Sequence, residues 1–487
     1  MKKRVCICLV LLLILEICIP AFGESLDSAL DKAFEKGRLV FEQVELPLPV
    51  PESCELVLPP AEVLEDLGLS GISAEELNAL LRQAQLTVIN YSPDGTHGVG
   101  FLVSGDSFLP AAVSPGRIAV IYPTHERGVD DQFSMLEKYY HMIYLQRNTY
   151  TPLGMGENGM IWSPSGRYCC SLYFDGLFKM NKGEYCSPIF TDTHTGEMFM
   201  ADSFNPSMFK GDAGSWVCGC FSDDEQYFYA MYYGHRSEHL CTLLRYDLAT
   251  FEYEELYGMD INGYPTLTQL KDGSILTFSD TRKIGTTAQQ LIKVYPDGAN
   301  ESFPIEEMMK VTQDYSLYYR RLYCSAESGW AVMPASLIGK TSGETTLGFL
   351  RFRPEESLSD RTKILWMICA QTLQPESFSK EKLAEYYASE FDRYWADKDY
   401  LFIYDIKLSP EGRYAAVIAG SPEGRLHDQI TVMLIIRLSD LKTLIAGGID
   451  VGNVSSLAVR RNKYLLNLSN EGVLCMSAGG LYRLSEQ

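Results

Sequence analysis

The hexapeptide Ser163-Pro164-Ser165-Gly166-Arg167-Tyr168 returns as Ser409-Pro410-Glu411-Gly412-Arg413-Tyr414. Each copy follows a short apolar run and precedes an alternating or continuous apolar one. Pro sets φ for the second position of a tight turn. Gly supplies the positive φ that closes it, and Ser can bond amides within the turn. One turn repeated between strand-like runs marks a chain assembled from repeated β units. Degenerate copies argue against coincidence. They are Tyr91-Ser92-Pro93-Asp94-Gly95, Phe221-Ser222-Asp223-Asp224-Glu225-Gln226-Tyr227, Leu270-Lys271-Asp272-Gly273-Ser274 and Val459-Arg460-Arg461-Asn462-Lys463-Tyr464.

The third unit shows the pattern in full. Trp216–Phe221, Tyr227–Tyr233, Leu240–Asp247 and Phe251–Leu256 read as four successive antiparallel strands. Counting such quartets gives units at about 86–150, 155–205, 213–258, 262–305, 315–370, 400–448 and 452–487. The expected fold is all-β, a propeller of about seven four-stranded blades. Six and eight blades stay open, because the first and fifth units are irregular. The expected propeller spans 86–487.

Trp162-Ser163-Pro164-Ser165-Gly166-Arg167-Tyr168 and its second copy resemble the W-S-P-D-G-[KR] core of TolB-like, WD-repeat-like propeller repeats. They also resemble the propeller domains of dipeptidyl peptidases and prolyl oligopeptidases. The resemblance implies a β-propeller. It implies no peptidase here, since the chain has no Gly-x-Ser-x-Gly elbow and no room for a hydrolase domain after the last unit.

Residues 1–23 read as a secretory signal. Lys2, Lys3 and Arg4 precede an apolar run, and Ala21-Phe22-Gly23 offers small residues for cleavage. Glu16 interrupts that run and keeps an uncleaved anchor open. The expected location is therefore extracytoplasmic, with membrane contact only through this segment. Residues 24–85 form an acidic preface. Leu26, Ala29, Leu30, Ala33 and Phe34 suit one helix face. Leu39 to Leu48 is strand-like, a Pro-rich linker follows, and Ser73 with Glu76 forms a capping box ahead of Leu77, Leu80, Leu81 and Ala84. The strand near 39–48 is placed to latch against a first or last blade, since an open ring exposes its edges.

Two segments break the β pattern with helical spacing, near 130–147 (Phe133, Leu136, Tyr140, Ile143, Tyr144) and near 377–398 (Leu383, Tyr387, Phe391, Tyr394 or Trp395). They read as helical insertions, packed on the propeller or projecting over one face.

The formal net charge of −21 argues against nucleic acid and anionic lipid as partners. Of the 13 cysteines, three lie in residues 1–23. The rest show no Cys-x-x-Cys spacing and read as mostly free, buried thiols. His235-Arg236-Ser237-Glu238-His239 matches His-x-x-Glu-His, an inverted zinc-peptidase signature. That chemistry needs a helix, whereas these residues fill a short loop between strands. His235, Glu238 and His239 are therefore the weak metal candidates of a chain expected to hold no metal and no cofactor. Asp223-Asp224-Glu225 offers hard oxygen ligands without the spacing of a dedicated calcium loop. Ser163, Pro164, Gly166, Ser409, Pro410 and Gly412 are expected to be structural turn residues, away from any ligand. No catalytic residue is identifiable. The best reading is a monomeric, non-enzymatic module that binds a protein, peptide or glycan. A channel lyase or glycoside hydrolase and an envelope assembly component are the alternatives.

Overall fold

The structure is a computed structural model. It describes residues 26–43, 48–49, 53–66, 73–92, 96–104, 107–124, 160–172, 188–201, 215–233, 241–259, 267–280, 289–304, 315–319, 323–324, 331–339, 345–352, 366–369, 402–409, 411–420, 431–440, 442–447, 466–468, 473–476 and 480–484. The two expected helical insertions lie outside these residues, as does the turn at 459–464.

The molecule is a β-propeller. Its described strands fall into successive antiparallel meanders. Unit one runs through Gln85–Tyr91, Gly98–Ser104, Ser107–Ser114 and Arg117–Val120. Unit two is Ile161–Trp162, Tyr168–Ser171, Ile189–Asp192 and Glu197–Met200. Unit three is Ser215–Phe221, Tyr227–Tyr233, Cys241–Asp247 and Tyr253–Met259, close to the sequence expectation. Unit four spans Thr268–Gln269 to Asn300–Pro304, unit five Tyr315–Tyr319 to Trp366–Cys369, and unit six Phe402–Leu408 to Thr443–Gly447. Unit seven holds Leu466–Leu468, Val473–Met476 and Gly480–Leu484.

The fourth strand of unit seven comes from the far end of the chain. Leu39–Gln43 pairs antiparallel with Gly480–Leu484, matching Phe41 to Leu484 and Gln43 to Tyr482. It also pairs parallel with Thr443–Gly447 of unit six. One N-terminal strand thus joins two units into an eight-stranded sheet. First strands of successive units lie side by side, as in units two and three, three and four, and six and seven. Val473–Met476 of unit seven lies against Gln85–Tyr91 of unit one, so the ring returns to its start.

Neighbouring units pack face to face, and the strand period decides which neighbour each residue meets. In Tyr227–Tyr233, Phe228, Ala230 and Tyr232 enter a core shared with unit two. The alternating Tyr229 and Met231 enter one shared with unit four. A strand buried on both faces needs a nearly continuous apolar run, which Tyr-Phe-Tyr-Ala-Met-Tyr-Tyr provides. The core between units two and three is aromatic. The Phe190 ring packs on Phe199, Phe221, Phe228 and Phe251, with centroids 5.2 to 6.0 Å apart. Such pairs add about 0.5–1.5 kcal/mol each beyond area burial.

The connections are asymmetric. In units two, three, four and six, strands one to two and three to four are joined by four or five residues. Strands two to three, and each unit to the next, are joined by longer segments, such as 172–188 and 201–214 around unit two. An antiparallel meander puts the two short links at one end of the blade and the long ones at the other.

Candidate functional site

The tight-turn end is built from one repeated device. Ser92, Ser163, Ser222 and Ser409 are all buried at the exit of a first strand. Each serine N–H donates to the carbonyl five residues on: Ser163 to Tyr168, Ser222 to Tyr227, Ser409 to Tyr414 and Ser92 to His97, at 2.8 to 2.9 Å. Each Oγ accepts the amide of that same residue, at 2.9 to 3.1 Å. The serine side chain thereby replaces a backbone acceptor at the strand exit. The turn closes with positive φ at Gly166 (75°), Gly412 (67°) and Glu225 (54°). Pro164 is exposed on the turn, and Pro410 lies outside the described residues. Leu270 to Ser274 uses a shorter version, with Gly273 at φ 81°.

A second device at the same end escaped the sequence reading. Asp192 and Asp247 close third strands. Asp192 Oδ1 accepts the amides of His194 and Thr195, and Asp247 Oδ1 those of Ala249 and Thr250. Their turns finish at Gly196 and Phe251, both with positive φ. The motif Asp-x-x-Thr before a left-handed residue was visible in Asp192-Thr193-His194-Thr195-Gly196 and Asp247-Leu248-Ala249-Thr250-Phe251. Phe at the last position hid the likeness.

Successive turns grip one another. His97 of unit one sits against Gly166 of unit two, where an added Cβ would come within 2.4 Å of His97 Nδ1. The His97 and His194 rings stack at 5.8 Å. Ser165 donates from both N–H and Oγ to the Glu225 carboxylate of unit three. The Asp223 amide donates to Gln269 Oε1 of unit four at 2.6 Å. Of the three weighed calcium ligands, Asp224 accepts from Ser222 Oγ at 2.7 Å and from the Gln226 amide. The Ser222 bond holds its carboxyl below the usual range. Burial, aided by the Asp224 charge, pushes Asp223 up. Asp224 therefore caps its own turn, and Glu225 ties it to unit two.

On unit six, the N-terminal helix Leu26–Lys36 takes the gripping role. Its amphipathic face buries Leu26, Leu30 and Phe34. Asp27, in the first turn, is buried and accepts from Ser409 Oγ at 2.8 Å and from the Arg413 amide at 3.2 Å. One turn on, Asp31 accepts from Arg413 Nη1 at 2.5 Å and from the Tyr414 hydroxyl. The Phe34 ring lies 5.2 Å from that of Tyr414, and Lys442 Nζ donates to the Phe34 carbonyl at 3.2 Å. Burial pushes the Asp27 carboxyl above its ordinary value despite those hydrogen bonds. Burial also pushes on Asp31, but the Tyr414 and Arg413 bonds outweigh it and its carboxyl is lowered. The helix itself was legible in the sequence. Its acidic face against the Ser409 turn was not, because nothing local links Asp27 to a residue so distant in the chain.

His235, Glu238 and His239 lie outside the described residues. Among the described residues, no three His, Cys, Asp or Glu side chains are placed to hold a metal ion. Cys169, Cys170, Cys220 and Cys241 are free thiols. Burial pushes Cys169 and Cys241 up to about 12, so neither is a nucleophile at neutral pH. The groups at the tight-turn end are spent on holding backbone and neighbouring blades. Those groups serve the scaffold. No described helix is long and apolar enough to cross a membrane.

No protein-family model matches the chain, and no curated protein matches it. Solved structures do. Oligogalacturonate lyase from Vibrio parahaemolyticus is 12% identical, with 83% of this chain and 94% of that one covered and a TM-score of 0.43. TolB from Acinetobacter baumannii is 13% identical, over 92% and 97% of the two chains, with a TM-score of 0.35. Prolyl oligopeptidase B from Galerina marginata is 8% identical, over 82% of this chain and 45% of its own, with a TM-score of 0.36. Their differing names carry no function to this chain.

Proposed function

We propose that this is an exported, seven-bladed propeller that binds a protein, peptide or glycan at the end bearing the long connections, without catalysing a reaction. The asymmetry of the blades carries the reading. At the tight-turn end of units two, three, four and six, the links of four or five residues hold serine and aspartate caps and contacts between blades. At the other end, the segments joining the described strands differ in length from blade to blade. A rigid scaffold with variable connections on one side is how propellers build recognition surfaces. Export rests on the signal-like residues 1–23, and the acidity of the chain disfavours nucleic acid.

Photo-crosslinking tests this. A benzophenone side chain is placed at Gln289, at the long-connection end of unit four, or at Ser165 in a tight turn. The chain is then exposed to an extracytoplasmic extract. Crosslinks to one defined species from position 289 and none from position 165 are expected. Crosslinks only from position 165 overturn the assignment of the binding end. Turnover of a polysaccharide or peptide by the purified chain overturns the non-enzymatic reading.

A further inference from the structure

We propose that the tight turn of unit six is a docking site for an acidic amphipathic helix of a partner protein, and that Leu26–Lys36 fills this site from within the chain. This goes beyond the reading above and concerns a second surface.

Unit six departs from its siblings at one position. The third-strand residue opposite the turn tyrosine is Asp192 in unit two, facing Tyr168, and Asp247 in unit three, facing Tyr227. In unit six it is Arg437, facing Tyr414. In unit two, Arg167 donates from Nε and Nη2 to Asp192 Oδ2, both at 3.2 Å, so the blade neutralises its own turn arginine. In unit six, Arg437 stands where that aspartate would be, and the third strand offers Arg413 no acid. Two acids of the blade take part of the charge. Arg413 Nε donates to Glu411 at 3.0 Å, and Arg437 Nε to Asp440 at 2.8 Å. The other donors meet the helix: Ser409 Oγ, the Arg413 amide, Arg413 Nη1 and the Tyr414 hydroxyl. Units two and three serve the scaffold with an aspartate, so the arginine of unit six is explained by what it receives.

The helix shows what the site selects. Asp27 takes Ser409 and the Arg413 amide, Asp31 takes the Arg413 guanidinium and Tyr414, and Phe34 lies 5.2 Å from the Arg437 guanidinium. Two carboxylates and a ring at i, i+4 and i+7 form one face, the anchoring pattern of a helix laid in a groove. Burial raises the Asp31 carboxyl, and the Tyr414 and Arg413 bonds with the charges of both arginines outweigh it.

The internal occupant is exchangeable. The Arg413–Asp31 pair is 43% and 41% exposed, and a pair so exposed is screened by solvent and holds weakly. Asp27 Oδ1 is buried and, among the described residues, has no hydrogen-bond partner. A helix of 11 residues is too short to be stable off the propeller, so it competes poorly with a preformed one. Gly37 follows it at φ 69°, where an added Cβ would meet nothing within 4 Å. The helix can pivot there while Leu39–Gln43 keeps its pairing.

Fluorescence anisotropy on the full chain tests this with a labelled helical peptide that shares only the Asp-x-x-x-Asp-x-x-Phe spacing with residues 27–34. Binding to a Phe34→Ala variant, whose internal helix is loosened, should be saturable and about tenfold or more tighter than to wild type. Replacing both peptide aspartates by asparagine should weaken it about tenfold or more. Adding Arg437→Asp to the variant, which restores the residue type of units two and three, should weaken it as much. Wild type gives a second readout that needs no variant. Saturating peptide should accelerate amide exchange in Leu26–Lys36 and leave Tyr227–Tyr233 unchanged. Unaltered exchange in Leu26–Lys36 overturns the proposal. So does no binding by a Phe34→Ala chain that keeps the wild-type circular dichroism. Equal affinity of wild type and Phe34→Ala, of the two peptides, or of the chains with and without Arg437→Asp overturns it equally.

Discussion

A single backbone conformation decides what Gly166 and Gly412 can become. Both sit at positive φ, where a β-branched side chain is strained by about 1–3 kcal/mol. Gly166 bears a second constraint, since any Cβ there collides with His97. Gly166→Val should therefore lower the melting midpoint more than Gly412→Val, and both should lower it. Equal midpoints for wild type and both variants would refute the turn geometry. The two clasp aspartates give opposite predictions with pH. The Asp27 carboxyl is raised in the fold, so its contribution is greatest below the unfolded value near 3.8 and is lost as pH rises through the folded one. Asp31 is lowered, so its contribution is present above 3.8 and lost as pH falls. Asp27→Asn keeps an acceptor for Ser409 and Arg413, and should flatten the decline in stability above 3.8. Asp31→Asn should flatten the acid loss. Urea midpoints between pH 3 and 8 decide it, and slopes of the same sign in both variants contradict the assignment.

The N-terminal helix holds unit six mainly through Phe34. Its ring is fully buried, against Tyr414 and beneath the Arg437 guanidinium at 5.2 Å. Phe34→Ala should cost about 3–5 kcal/mol by urea denaturation. Leu80 is exposed on the helix Ala74–Arg82, so Leu80→Ala should change stability by less than about 0.5 kcal/mol. A Phe34→Ala loss as small as that of Leu80→Ala would mean that the helix merely rests on the propeller. Legibility followed the range of each interaction. Strands of unit three, the capping box at Ser73 and Glu76, and the serine turns depend on neighbours within a few residues, and all could be read in advance. The Asp27 to Ser409 bond, the Ser165 to Glu225 bond and the parallel strands added to outer edges join distant segments. They follow from the ring bringing its turns together, which local spacing does not encode. The candidate site was least legible, because the repeat reports turn geometry and the proposed binding segments do not repeat.

Closing a ring makes Leu39–Gln43 structural. Leu39–Gln43 completes unit seven and bridges to unit six, with Leu39 and Phe41 buried. Without it, Gly480–Leu484 and Thr443–Gly447 both become edges, and the contact from Val473–Met476 to Gln85–Tyr91 still ties unit seven to unit one. Among the described residues, no strand of units two to four pairs with the latch, and their shared cores lie between their own faces. Weakening the latch should therefore open the ring locally before it unfolds globally. In a Leu39→Asp, Phe41→Asp variant, amide exchange should accelerate most across Gly480–Leu484 and Val473–Met476. It should accelerate less in Gln85–Tyr91, and least in Tyr227–Tyr233, which is buried on both faces and remote from the break. Uniform acceleration across all these strands would mean that the ring unfolds as one unit, with no local opening at the seam. No change anywhere would mean that Leu39–Gln43 decorates a ring closed by other strands.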